Sequence, residues 1–301
     1  MSANSASLGQ TRRGIFLVML AALCWGTIGV ATEGVYRAAQ TNALSIGFWR
    51  LAFAVPALWF LLWRVVGPSA LKISRRDLAL MLVMGGMMAL YQVSLFTAIP
   101  FLGVTVAVII TICSAPVVIA ALAAIFLGEK FTAHAGAALV LAIMGTLLVA
   151  NLTPDEFLAR GSQVEGVLWA LASGVGYAII TLVSRALAGR YHPLQPVSVG
   201  FTAGALLLLP LALANGFVMS YPLTGWALLA YLGFVPTAVA YWIFFTGMRA
   251  TPATTASIIV LLEPLVAAFL AAFLYQEQLP PLGWLGAALL VGAMGVLVFR
   301  K

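Results

Sequence analysis

Along the chain, long apolar runs alternate with short stretches that hold Gly, Pro or charge. Ten such runs stand out, at 14–32, 43–63, 78–98, 104–127, 133–151, 165–185, 196–214, 226–247, 253–275 and 282–299. Each is about 20 residues long, enough for a helix to cross a hydrocarbon core about 30 Å thick. The runs are continuous and do not alternate over ~10 residues as barrel strands do. The pattern predicts an all-α integral membrane protein with ten transmembrane helices.

Composition removes the main alternatives. Of 301 residues, 63% are hydrophobic and 8% charged, against roughly 25% charged in soluble proteins. That excludes an ordinary soluble enzyme, a disordered chain and a nucleic-acid-binding domain. The net charge of +7 is scattered singly and in pairs over short loops, which suits membrane orientation rather than nucleic acid. Cys24 and Cys113 sit inside apolar runs and indicate neither disulfide nor zinc chemistry. Arg12 and Arg13 before Gly14 resemble the start of a signal peptide, but the run is long and many follow, so an uncleaved first span is expected.

With the N-terminus placed inside, the inner segments carry Arg12, Arg13, Arg64, Lys72, Arg75, Arg76, Lys130, Arg185, Arg190, Arg249, Arg300 and Lys301. The outer loops carry Arg37 and Arg160, and Arg50 stays inside a span. This asymmetry predicts that both termini are cytoplasmic. The longest outer loop, 151–163, holds Asp155 and Glu156.

The chain also repeats. Ala115-Pro116 through Glu129 matches Glu263-Pro264 through Glu277 at a common offset of 148 residues. Gly136 through Gly145 matches Gly286 through Gly295, Gly47-Phe48 matches Gly200-Phe201, and Trp25 matches Tyr177. Five spans per copy is an odd number, so the second copy is inverted, as in many secondary transporters. The expected organisation is a tail at 1–13, a first five-helix repeat at 14–151, a periplasmic linker at 152–164 and a second repeat at 165–301.

These residues resemble a known family. Trp25-Gly26, Phe48-Trp49-Arg50, Ala115-Pro116, Gly128-Glu129-Lys130 and Leu262-Glu263-Pro264, in this order and duplicated, are similar to the EamA-type transporters of the drug/metabolite transporter superfamily. Within it the chain looks like the exporters of aromatic amino acids. The resemblance implies a central cavity lined by spans 1, 3, 4, 6, 8 and 9, with spans 5 and 10 at the periphery. It also leads one to expect a histidine where Gln92 stands. An amide there can hydrogen-bond but does not titrate.

Several side chains have both a functional and a structural reading. Arg50 is a gate or anion partner, or it snorkels outward and anchors loop carbonyls. Glu263 lies mid-span directly before Pro264, where it either couples to a proton or serves the structure of a Pro-broken helix. Glu129 and Glu277 read as cap residues at corners, and His134 and His192 as solvated. Trp59, Trp63, Trp226 and Trp284 lie near span ends, where interfacial anchoring is the default. Deeper polar and aromatic groups are interhelical glue or cavity lining. The resemblance favours lining, so Trp25, Tyr91, Gln92, Tyr177, Trp242 and Ser257 are the substrate-binding candidates, with Arg50 and Glu263 as candidates for coupling or gating.

The function these features point to is a secondary transporter for a small organic solute. No Walker A motif is present, so nucleotide hydrolysis by this chain is not expected. Intramembrane enzymes need clustered acid, base or nucleophile groups, which this sequence does not offer. An aromatic lining with few charges fits a partly apolar, overall neutral solute such as an aromatic amino acid. Other neutral metabolites, drugs, or a passive channel are the alternatives. The expected partners are that solute and the bilayer. No cofactor, metal or nucleic acid is expected, and the protein is expected to be a monomer.

Overall fold

The computed structural model describes residues 2–102, 104–149, 164–275 and 281–298. The expected linker at 152–164, except Val164, and the corner residues Glu277 and Gln278 lie outside them. Thirteen α-helices follow in order: α1 Ser2–Gly26, α2 Ile28–Ala38, α3 Ala43–Val66, α4 Arg75–Leu102, α5 Val104–Leu127, α6 Ala133–Val149, α7 Val164–Leu187, α8 Leu194–Ala214, α9 Leu223–Gly233, α10 Ala240–Gly247, α11 Ala253–Val260, α12 Glu263–Tyr275 and α13 Pro281–Val298. Among the described residues, seven continuous helical stretches are long and apolar enough to cross a membrane, and three shorter apolar helices join them. The ten correspond to the ten expected spans. The first is split into α1 and α2, the eighth into α9 and α10, and the ninth into α11 and α12.

The outer surface agrees with a bilayer as solvent. Phe60, Ile125, Phe126, Leu206 and Leu285 are all more than half exposed, where in water they would form an aggregation-prone surface. Apolar side chains inside the bundle form one large cluster that runs from Val18 and Trp25 through Leu58 and Met84 to Phe201, Phe244 and Ile259.

Helices of this kind gain little hydrophobic drive from packing on each other in lipid, so close backbone approach takes over. Gly174 and Gly176 of α7 show the device on two sides of one helix. A methyl on Gly176 would lie 3.0 Å from the Met87 carbonyl oxygen and 3.1 Å from the Tyr91 nitrogen, both in α4. A methyl on Gly174 would lie 3.0 Å from the Thr111 carbonyl oxygen of α5 and press on Ser114. Gly85 of α4 meets Gly200 and Gly204 of α8 in the same way. The peripheral pair α6 and α13 packs through Gly145, where a methyl would be 2.8 Å from the Gly286 carbonyl oxygen.

Side-chain bonds sort the corners into two ends. At one end, Asp77 of α4 accepts from Tyr191 at 2.7 Å and from Arg190 at 3.0 Å, and Gln195 donates to the Ala70 carbonyl at 3.1 Å. The corner after α5 meets the corner between α10 and α11 at this same end, through Glu129. At the opposite end, Asn42 donates to the Gly216 carbonyl at 2.7 Å and Trp49 to the Val218 carbonyl at 3.0 Å. Trp49 also stacks on Phe217 at 5.6 Å and meets Trp226 edge-on at 4.8 Å. So Trp226 is part of an aromatic cluster at this end. The alternation of corners between ends is the one an up-and-down ten-span chain requires.

Candidate functional site

Three spans break near mid-depth, and each break has a local cause. In the first, the Thr27 hydroxyl donates to the Cys24 carbonyl at 2.7 Å, and its amide reaches the same carbonyl at 3.2 Å. Such side-chain competition with the backbone loosens a helix. In the eighth, Phe234–Val239 forms a π turn around Pro236. Pro brings no N–H to the Leu232 carbonyl, and the Thr237 hydroxyl donates to that carbonyl at 2.7 Å. In the ninth, Pro264 has no N–H, and the chain tightens before it: Leu261 and Leu262 donate three residues back, to Ile258 and Ile259. The helix restarts at Glu263, an acid in the first turn, where the helix dipole favours negative charge.

The breaks meet one another. A methyl on Gly26 would sit 3.0 Å from the Glu263 carbonyl oxygen. Trp25 Nε1 donates to the Pro236 carbonyl at 2.8 Å. Arg50 Nε and Nη2 each donate to Thr237 Oγ1 at 3.4 Å. Irregular backbone at membrane depth is tolerated where protein or a cavity covers it, and here a cavity adjoins all three breaks. It is lined by Trp25, Ile28, Arg50, Tyr91, Thr111, Ile112, Pro116, Tyr177, Tyr241, Ser257, Val260 and Glu263. The space between these side chains, mouth included, is ≈ 530 Å³. The lining comes from spans 1, 3, 4, 6, 8 and 9, plus Arg50 from span 2.

Most of these side chains are held from behind. Trp25 packs against Tyr241 at 4.9 Å and Phe244 at 5.1 Å, and its N–H is already used on Pro236, so it offers the cavity apolar ring surface and no donor. Tyr91 and Tyr177 lie 6.0 Å apart between ring centroids. The Tyr177 hydroxyl is buried, with no hydrogen-bond partner among the described residues. Ser257 donates to the Thr254 carbonyl at 2.8 Å. Among the described residues no ion pair joins Arg50 to Glu263.

Six of the eight residues singled out from the sequence therefore face one cavity: Trp25, Arg50, Tyr91, Tyr177, Ser257 and Glu263. Gln92 and Trp242 stand outside its lining. Gln92 is one position, about 100° of helix, past Tyr91. Its side chain is buried toward α3, with Oε1 2.6 Å from where a methyl on Gly47 would lie. Trp242 packs against the core instead. The π turn explains the difference, because an extra residue in one turn rotates everything after it, and Tyr241 takes the inward position. Tyr241 and Thr111 are lining residues that sequence reasoning did not single out. Thr111 looks like any small polar residue in an apolar run, and its hydroxyl is spent on the Ala170 carbonyl at 3.1 Å.

At the basic end of the bundle, Glu129 is a cap for a distant helix. Gly128 turns the chain with φ 64, in the left-handed region that glycine reaches freely. Glu129 then accepts from the Ala253 and Thr254 amides at the start of α11, at 2.9 and 3.4 Å. Arg185 donates to Glu129 at 3.4 Å and to the Met248 carbonyl past the end of α10 at 2.7 Å. Anion at a helix start and cation at a helix end match both dipoles. The network ties the first half of the chain to the second. His134 at this end is exposed, whereas His192 is half-buried. Burial, and then the neighbouring Arg249 charge, hold the His192 imidazole below its ordinary pKa.

The family model described as EamA-like transporter family matches this chain over residues 12–151 and again over 164–299. The chain belongs to the EamA-like transporter family. It is a multi-pass membrane transporter rather than an enzyme. It is 32% identical to the uncharacterized transporter YwfM of Bacillus subtilis over 93% of this chain and 91% of that protein. It is 31% identical to the Probable terminal-alkyne amino-acid exporter of Streptantibioticus cattleyicolor, over 78% and 77%. It is also 31% identical to the Pseudopaline exporter CntI of Pseudomonas aeruginosa, over 72% and 73%. A solved crystal structure superposes with a TM-score of 0.82 at 18% identity, covering 94% of this chain and 95% of that one, which shows a shared fold.

Proposed function

We propose that this EamA-family protein is an inner-membrane secondary transporter that exports aromatic amino acids by alternating access through the central cavity. The observation that carries this reading is the lining: Trp25, Tyr91, Tyr177 and Tyr241 present aromatic surface, and Arg50 and Glu263 add a guanidinium and a carboxyl group. A zwitterion with a ring matches such a lining, and a ring against aromatic side chains gains specific contact energy. A relative named as an amino-acid exporter supports the substrate class, and the resemblance to the bacterial aromatic amino acid exporter YddG supports the aromatic member of it. In this proposal Trp25, Tyr91, Tyr177 and Ser257 touch the solute, and Arg50 and Glu263 are the candidates for coupling or gating.

For orientation, we place the Glu129 and Asp77 end of the bundle in the cytoplasm together with both termini. The support is the concentration of Lys and Arg in the segments at that end. We also propose that the protein acts as a monomer.

The test is transport by purified protein in liposomes loaded with unlabelled amino acid. Saturable uptake of labelled phenylalanine that accelerates with internal phenylalanine is the expected result. Flux that is linear in concentration and indifferent to internal solute identifies a channel. Counterflow by other neutral metabolites without competition from phenylalanine, tyrosine or tryptophan moves the substrate to another class.

A further inference from the structure

The guanidinium in the cavity wall is aimed by a neutral hydroxyl on the opposite half of the protein. Thr237 is fully buried in the π turn. Its hydroxyl gives its proton to the Leu232 carbonyl at 2.7 Å, so its oxygen can only accept. Both Arg50 Nε and Nη2 donate to that oxygen, at 3.4 Å. These two donors form one side edge of the planar guanidinium. Five N–H groups in a fixed fork are available to an Arg, and the donors on the end edge have no protein partner among the described residues. Glu263 also lines the cavity, but no ion pair takes up the remaining donors. A cation within a span is costly unless it is paired. A free end edge is the geometry that takes a carboxylate with two parallel bonds.

We infer that Arg50 is the subsite for the α-carboxylate of the transported amino acid, and that Thr237 is the residue that positions it. This deepens the amino-acid reading above and rests on it. A neutral partner suits the task. An acid at position 237 would neutralise Arg50 permanently, whereas a hydroxyl holds one edge and leaves the charge for the solute. The π turn is then part of the recognition apparatus. Pro236 frees the Leu232 carbonyl, the carbonyl takes the Thr237 proton, and the Thr237 oxygen is thereby turned toward Arg50.

The experiment is inhibition of labelled phenylalanine counterflow in proteoliposomes by unlabelled phenylalanine and by phenethylamine, which has the ring and ammonium but no carboxylate. In the wild type, phenylalanine is expected to inhibit at least tenfold more strongly than phenethylamine. Thr237→Val keeps the volume and removes the hydroxyl. It is expected to raise the half-saturation concentration for phenylalanine roughly three- to tenfold, the range for one hydrogen bond of ordinary net strength, since both guanidinium bonds to Thr237 are long at 3.4 Å, with the phenethylamine inhibition constant unmoved. Thr237→Ser is expected to recover most of the loss. Equal inhibition by the two compounds in an active wild type overturns the carboxylate subsite without any variant being needed. An equal shift for both compounds in Thr237→Val, or no recovery in Thr237→Ser, overturns the positioning role. A wild type that moves phenylalanine no faster than protein-free vesicles refutes the substrate reading and this subsite with it, and is told apart from the other failures by the absence of any counterflow.

Discussion

Gly85 and Gly86 are neighbours in α4, yet alanine at the two positions should act with opposite sign. A methyl on Gly85 would lie 2.7 Å from Ala203 Cβ and 3.0 Å from the Gly204 nitrogen, and closer still to the Gly200 carbonyl oxygen. Non-bonded carbons rest at about 3.5–4.0 Å, so α4 and α8 would have to part by about 1 Å. The obstructing atoms are backbone or Cβ and cannot swing aside. Overpacking of this kind costs about 1–3 kcal/mol. At Gly86 the nearest obstacle is Leu207 Cδ1 at 3.9 Å, ordinary contact with the tip of a flexible side chain. There the change removes a glycine from a helix interior and should stabilise by roughly 0.5–1 kcal/mol. Thermal unfolding of the purified protein in detergent, followed through its eight tryptophans, should place Gly85→Ala below the wild type and Gly86→Ala at or above it. A Gly85→Ala protein that melts as high as Gly86→Ala would show that the two halves do not cross as closely as described.

Tyr91→Ala and Tyr177→Ala should each raise the half-saturation concentration for an aromatic solute roughly threefold to tenfold, since one aromatic contact contributes ~0.5–1.5 kcal/mol beyond area burial; unchanged transport kinetics in both would remove the proposed contacts. Glu129→Ala leaves the Ala253 and Thr254 amides and Arg185 without their shared acceptor, and loss of such a cap should lower stability by about 0.5–2 kcal/mol. Glu129→Gln retains an acceptor and should lose less in the same thermal assay, and equal stability of wild type and Glu129→Ala would refute the cap. A cysteine placed at Ser162, in a chain whose Cys24 and Cys113 have been replaced, should react with an impermeant maleimide added outside intact cells; labelling only after permeabilisation would reverse the proposed orientation.

The number of spans, the break before Pro264 and the duplication of the chain were legible in the sequence, because each is a local quantity. Twenty apolar residues in a row, a Pro inside such a run, or the motif at Pro116 recurring at Pro264 need no knowledge of neighbours. The breaks at Thr27 and at Phe234–Val239 were not legible, since Pro56, Pro100, Pro116 and Pro210 lie inside continuous helices. The depth of Trp25, Tyr91, Tyr177, Ser257, Arg50 and Glu263 follows from the same counting, but it is the packing of five different spans that brings these six to one cavity. Which face a side chain takes after an irregular turn is a different kind of quantity. The π turn at Phe234–Val239 shifts the phase of everything after it, so Tyr241 rather than Trp242 turns inward. Gln92 packs toward Gly47 because α3 lies on that side of α4. Pairings across the bundle are further still from local pattern. Glu129 caps a helix 124 residues away, and Arg50 finds Thr237 at a separation of 187 residues. Apolar length and local charge decide that a segment enters the membrane. Only the packed bundle decides which polar group, from which half of the chain, meets another there, because in a low-dielectric interior each such group must be satisfied by whatever the tertiary fold brings within reach.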